Sequence, residues 1–337
     1  MAMGFGSFGY RGTSRAQGTS SGAPISNLFI SFSRDQADWV ENQLVPVLVA
    51  GGADTPLLHA GGGEELVDTE RSAVGARLAH QLLAAQDQAE RQIVVLSKDY
   101  LANVSCLDQL RHALGRDADF RSGLVIPVRR DACPLPDGID IPESLIIDMR
   151  NDRRAPPWDQ LLAACRSRLG VGAVSWLQAC DAVIGHVAAG RSVNLVIDPA
   201  VEPGTFLRHL GRRIAGLAVV DIGSPQAATR RGLISELLRA IGCATALPSS
   251  PVELELFDRA LGTAPTLRAA VANFDFVARR LDFDPPLFDS LARAIAATPP
   301  GLVLVLQSGR PLREVMAPEN PLMAFGLPVV TLAPRCP

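Results

Sequence analysis

Four short stretches hold the residues whose types and spacing suit chemistry. In 93–110 an apolar run, Ile93-Val94-Val95-Leu96, leads through Ser97 and Tyr100 to Ser105, Cys106, Asp108 and Gln109. In 29–35 an apolar run carries Ser31 and Ser33 and closes on Arg34 and Asp35. In 61–65 three glycines, Gly61, Gly62 and Gly63, run into Glu64 and Glu65. In 198–205 the order is Asp198-Pro199-Ala200-Val201-Glu202-Pro203-Gly204-Thr205. A glycine run between strand and helix can cradle a phosphate with its N–H groups. At 61–65 no Lys-Ser/Thr follows and two acids adjoin, which speaks against phosphate. Gln109 is an amide, so it carries no negative charge and cannot accept a proton at neutral pH. The five histidines, His59, His80, His112, His186 and His209, show no H-x-x-x-H or H-E-x-x-H spacing, and no zinc site is expected. No G-x-S-x-G elbow or Cys-His pair stands at a recognisable strand end, and the cysteines form no C-x-x-C pair.

These residues need elements to hold them, and hydrophobic periodicity supplies two sets. The first set has strands at 28–32, near 56–59, and at 93–96, 125–128 and 145–149. Its helices fall at 36–50, 72–90, around Cys106 to Leu114, and at 158–169. Gly51-Gly52 closes the first helix. Strands alternating with helices imply a parallel sheet of the flavodoxin-like kind. Residues 170–173 read as a junction, and the pattern then restarts. Helices at 175–189, 205–214, 226–241, 252–261 and 286–297 alternate with strands at 193–198, 217–222, 267–272, 302–306 and 329–332. The fold class is therefore α/β, with two parallel-sheet domains, 25–172 and 173–337. Residues 1–24 are rich in Gly and Ser without periodicity and read as a disordered tail.

Three pieces of the first half, in order, resemble a bacterial TIR (Toll/interleukin-1 receptor) domain. Phe29-Ile30-Ser31-Phe32-Ser33, with Asp35, Asp38 and Trp39, resembles the family's first box. Val94, Val95, Leu96, Ser97, Tyr100, Leu101, Cys106, Leu107 and Leu110 match its central VVLS-x-x-YL-x-S-x-WC-x-x-EL pattern. Val125-Ile126-Pro127-Val128 fits the second box. The resemblance implies a vestigial NAD pocket at Ser31, Ser33, Arg34 and Asp35. In enzymes of the family the Glu of the central pattern is the essential carboxylate. This chain has Gln109 at that position and Ser105 at the Trp position, so neither catalytic residue is intact. An amide loses both the electrostatic and the acid–base role. Asp108 is the outside candidate to replace it, but adjacent helix positions point about a quarter-turn apart. The resemblance also implies that the 61–65 loop, Gly61 to Glu65, takes part in TIR–TIR contact.

The second half resembles a P-loop NTPase of the AAA/STAND type whose motifs have decayed. Against G-x-x-x-x-G-K-[ST], Asp198 replaces the first Gly, Pro203 the second and Gly204 the Lys; Thr205 alone agrees. Proline removes an N–H, Asp198 and Glu202 repel phosphate, and this half has no lysine. Where the magnesium-handling acids belong, the chain reads Ala272-Asn273.

The chain has 337 residues and a net charge of −3, which makes no electrostatic case for nucleic acid or an anionic membrane. Six scattered cysteines and no secretory or membrane-spanning stretch point to the cytoplasm. The leading expectation is a non-catalytic signalling or assembly protein in bacterial immune, such as anti-phage, signalling. No cofactor or metal is expected. Its partners would be proteins: copies of itself through TIR–TIR association, or a catalytically intact TIR or NTPase protein. Two alternatives stay open, an NAD hydrolase or cyclase with a shifted carboxylate, and a nucleotide-binding switch.

Overall fold

A computed structural model describes residues 27–54, 56–61, 84–167, 169, 171–199, 201–243 and 252–334. The tail 1–24, most of the helix expected at 72–90, and Gly62, Gly63, Glu64 and Glu65 lie outside the described residues.

The first sheet contains β1 (Leu28–Ser33), β2 (Leu57–Gly61), β3 (Arg91–Leu96), β4 (Val125–Arg129) and β5 (Ile147–Asp148). All pairs are parallel and the order is β2-β1-β3-β4-β5. All six residues of β1 are buried, as suits a central strand covered on both faces. The expected strand at 145–149 contracts to two residues because Glu143–Leu145 forms a 3-10 turn that leaves Leu145 exposed.

After β1 the chain turns through α1 (Ala37–Trp39), a π-turn (Val40–Leu44) and α2 (Val45–Ala50). Beyond β3 come α3 (Lys98–Ala102) and α4 (Val104–Arg116). Ser97 caps the first of these on the N–H of Tyr100, and Asn103 caps the second on that of Cys106. α5 (Ala155–Ala164) starts earlier than expected, since Pro156 and Pro157 fall in its first turn, where proline is tolerated.

The second sheet has the order β10-β6-β9-β8-β7, again all parallel. Its strands are β6 (Val193–Ile197), β7 (Leu217–Asp221), β8 (Leu267–Ala272), β9 (Leu302–Ser308) and β10 (Val329–Leu332). The connecting helices are α6 (Ala173–Ala188), α7 (Pro203–Arg213), α8 (Arg230–Ala240), α9 (Val252–Thr263) and α10 (Pro285–Ala296). Expected and observed elements in this half agree to within a few residues.

The two sheets are joined through side chains as well as through the chain. One apolar cluster runs from Ile30 and Phe32 through Val40, Leu44 and Leu48, past Trp158, to Trp176, Phe206 and Leu210, and on to Leu195 and Val305. Helix α2 packs on both α6 and α7. The rings of Trp39 and Trp158 lie 6.0 Å apart, and Trp176 meets Phe206 edge-on at 5.3 Å. Arg213 reaches back to the carbonyl of Asn42 in the π-turn at 3.5 Å. The junction expected at 170–173 is thus bridged by a shared core. The opposite face of the first sheet is covered by α3 and α4 around Tyr100, Cys106 and Leu110. A separate core under α8, α9 and α10 covers the other face of the second sheet.

Candidate functional site

In an open parallel sheet ligands bind beyond the carboxyl ends of the strands, where the strand order reverses. In the first sheet that point lies between β1 and β3. Ser31, Ser33, Ser97, Tyr100 and Gln109 meet there, and all five are buried. Ser31 donates to Gln109 Oε1 at 2.6 Å. Its proton being used, Ser31 must accept from the Tyr100 hydroxyl, 3.0 Å away. Burial pushes the Tyr100 phenol up, so it stays a neutral donor. Ser33 and Ser97 bond to each other at 3.1 Å. The backbone of Gln109 is held as well, its carbonyl accepting from Gln86 Nε2 at 2.9 Å. The amide is therefore clamped at the switch point by a chain of hydroxyls.

Gly61 lines the same place. A Cβ there would stand 2.1 Å from Cys106 Sγ, so the thiol fills the space a side chain would need. Burial pushes that thiol up to about 12, and it stays protonated. The remaining expected residues stand apart. Arg34 and Asp35 are exposed beyond the end of β1, and Ser105 is half-buried. Asp108 points to solvent, its side chain 67% exposed and paired with Arg111 at 3.0 Å. The structure thus brings Ser31 to Gln109 but leaves Asp108 outside the network.

In the second sheet the order reverses between β6 and β9, and the 198–205 loop leaves from β6. The anion seat at the start of α7 is already filled from within. Glu202 accepts from the N–H of Gly204 at 2.8 Å, from that of Thr205 at 3.0 Å, and from the Thr205 hydroxyl at 3.1 Å. A Cβ at Gly204 would fall 2.5 Å from Glu202 Oε1, so the glycine lets the carboxylate approach. Pro203 takes the first helical position, whose N–H is not needed. In the sequence Glu202 stands out only as a charge repelling phosphate. A Glu before Pro-Gly-Thr is also an N-cap signal, and that is the role the structure gives it. Glu202→Ala should lower stability by about 1 kcal/mol, read by thermal or denaturant unfolding. An unchanged midpoint would mean that the cap contributes nothing.

Across the crevice Ala272 is buried, and Asn273 adopts the left-handed conformation at φ 56° and ψ 38°. Asn273 donates through Nδ2 to Asp221 at 2.7 Å, and its own N–H goes to Gln307 Oε1 at 2.8 Å. Asp275 accepts from the N–H of Gly309 at 2.8 and 3.1 Å. Asp198 is half-buried at the mouth of the loop. The acids of this region, Asp221, Asp275 and Glu202, are thus committed to the chain's own N–H groups.

Among the described residues no group of His, Cys, Asp or Glu could hold a metal ion, and no helix is long and apolar enough to cross a membrane.

The family model described as TIR domain matches residues 28–162. Among solved structures, the TIR domain of the Toll-related receptor TRR-2 from Hydra magnipapillata is 21% identical, with 42% of this chain and 98% of that chain covered and a TM-score of 0.31. A chain from the Drosophila ORC bound to GC-rich DNA and Cdc6 is 14% identical, covering 48% of this chain and 57% of that chain at a TM-score of 0.38. A chain from the Drosophila ORC bound to DNA is 14% identical, covering 48% and 94% at 0.37. No curated protein matches the sequence. The β2-β1-β3-β4-β5 sheet, the serine-bearing β1 and the family match coincide on one stretch: the chain carries a TIR domain over residues 28–162, followed by a second α/β domain.

Proposed function

We propose that this protein is a non-catalytic TIR signalling or assembly protein, in which an NTPase-like second domain serves as structure and not as a nucleotide switch. The observation that carries the reading is the Gln109 amide, held at 2.6 Å by Ser31 at the switch point of the TIR sheet. A carboxylate is needed there to stabilise a cationic ribose, and a neutral amide cannot do so. The self-occupied start of α7 supports the same reading for the second domain, because phosphate would have to displace Glu202. With both crevices closed on themselves, protein contact is the remaining use, through copies of the chain or a catalytically intact partner. The context is bacterial immune signalling, as the TIR resemblance implies.

The test is incubation of purified, deliberately clustered protein with NAD, with nicotinamide followed by chromatography, alongside thermal shift with saturating magnesium-ATP. Neither turnover nor a magnesium-dependent shift is expected. Gln109→Glu should not restore turnover, since Ser105 also departs from the family pattern. Nicotinamide release that Asp108→Ala abolishes would instead establish the shifted-carboxylate enzyme.

A further inference from the structure

Helix α4 shows solvent a stripe with the same spacing from either end. Val104, Asp108, Arg111 and Gly115 are all exposed, at intervals of four, three and four residues. At about 100° per residue they fall within a stripe about 60° wide. Asp108 and Arg111 sit at its centre with side chains 67% and 57% exposed. At one end Val104 is 72% exposed although apolar. At the other, nothing lies within 4 Å of where a Cβ on Gly115 would be, so the backbone is open to close approach.

Two such helices laid antiparallel about a two-fold axis between Asp108 and Arg111 would match throughout. Asp108 of each copy would meet Arg111 of the other, and Val104 of each would lie over the bare Gly115 of the other. A parallel in-register pair would set Asp108 against Asp108 and Arg111 against Arg111, which is repulsive. The charge order therefore selects the closed, isologous arrangement. Gly61, the root of the 61–65 loop, lies against Asn103 and Cys106 at the start of the same helix, so the stripe adjoins the surface that loop leaves from. The α1–α2 side of the TIR domain is already buried in the core shared with the second domain.

We propose that α4 is a two-fold self-association surface whose occupant is α4 of a second copy of this chain. The proposal rests on the assembly reading and names the surface it would use. One helix against another buries less than the roughly 800 Å² per partner of a standard interface, so the pairing is weak and grows with local concentration.

The experiment is light scattering and sedimentation of the full chain over a concentration series, with Asp108→Arg, Arg111→Asp and Val104→Glu variants. Wild type should gain mass toward a dimer. Each charge reversal alone should weaken association by about tenfold or more, since it sets like charges face to face. An equimolar mixture of Asp108→Arg and Arg111→Asp should regain association to within about threefold of wild type, because each supplies the charge the other lacks. The Asp108–Arg111 contact within one helix cannot produce that recovery. Val104→Glu should weaken association without touching either charge. These sites are solvated, so the melting temperature of each variant should stay at the wild-type value. A wild type that stays monomeric, reversals that associate like wild type, or a mixture that does not recover would each overturn the proposal. Nicotinamide release with intact pairing would sink the non-catalytic reading alone; an inert chain that fails to pair would sink the α4 surface alone.

Discussion

Trp176→Ala should lower the stability of both halves of the chain together, by about 3–5 kcal/mol. Trp176 is 2% exposed, packs edge-on against Phe206, and lies 4.9 Å from the ring of His209. Its cluster continues through α2 into the first sheet. Calorimetry should therefore show a single transition that moves as a whole. Two transitions, of which only one moved, would show that the halves hold separate cores. The same region sets an acid limit. Burial, with Arg213 and Arg212 adding to it, lowers His209 to about 4. The unfolded chain then binds the proton that the folded chain refuses. Stability is lost as pH falls below the ordinary value of about 6.5 and levels off below the folded value.

Arg230→Met is expected to cost a similar amount, about 3–5 kcal/mol, by a different route. Arg230 donates to Glu253 at 2.6 Å and to Asp284 at 2.5 Å. The Glu253 side chain is 3% exposed, so without the guanidinium a carboxylate is stranded away from water. The loss also unfastens α8 from α9 and from the cap of α10, where Asp284 receives the N–H of Leu287. The double variant Arg230→Met with Glu253→Gln should recover most of the deficit, since it removes the stranded charge. A double variant as unstable as the single one would put the cost in packing around the arginine stem instead.

The strands were legible because most are uninterrupted apolar runs. Ile93 to Leu96 and Leu302 to Leu306 have the length of a buried strand and are shorter than a typical buried helix. The helices were legible from spacing and caps. Their ends were less so: Pro156 and Pro157 look like loop residues until the helix places them in its first turn. Gln109 stands out in the sequence only through the family resemblance, and the clamp on its amide is not legible there. Ser31 and Gln109 are separated by 78 positions, and only the folded sheet brings them together. Glu202 reads in the sequence as a charge inside a decayed loop motif, whereas its local signal, before Pro-Gly-Thr, is that of a cap. The shared core was least visible of all. Trp39 and Trp176 each look like the filling of a separate domain, and no periodicity tells which helix face meets a second sheet.

The core shared by the two sheets, with Arg213 reaching the carbonyl of Asn42, ties the TIR domain to the second sheet. Whatever grips the free side of the TIR domain therefore also sets the heading of the second sheet. In an array of such chains, every second domain would be displayed at one angle and one spacing, like teeth on a rack. A receiver reading that array could count copies by geometry alone, without any change of shape in the copies it counts.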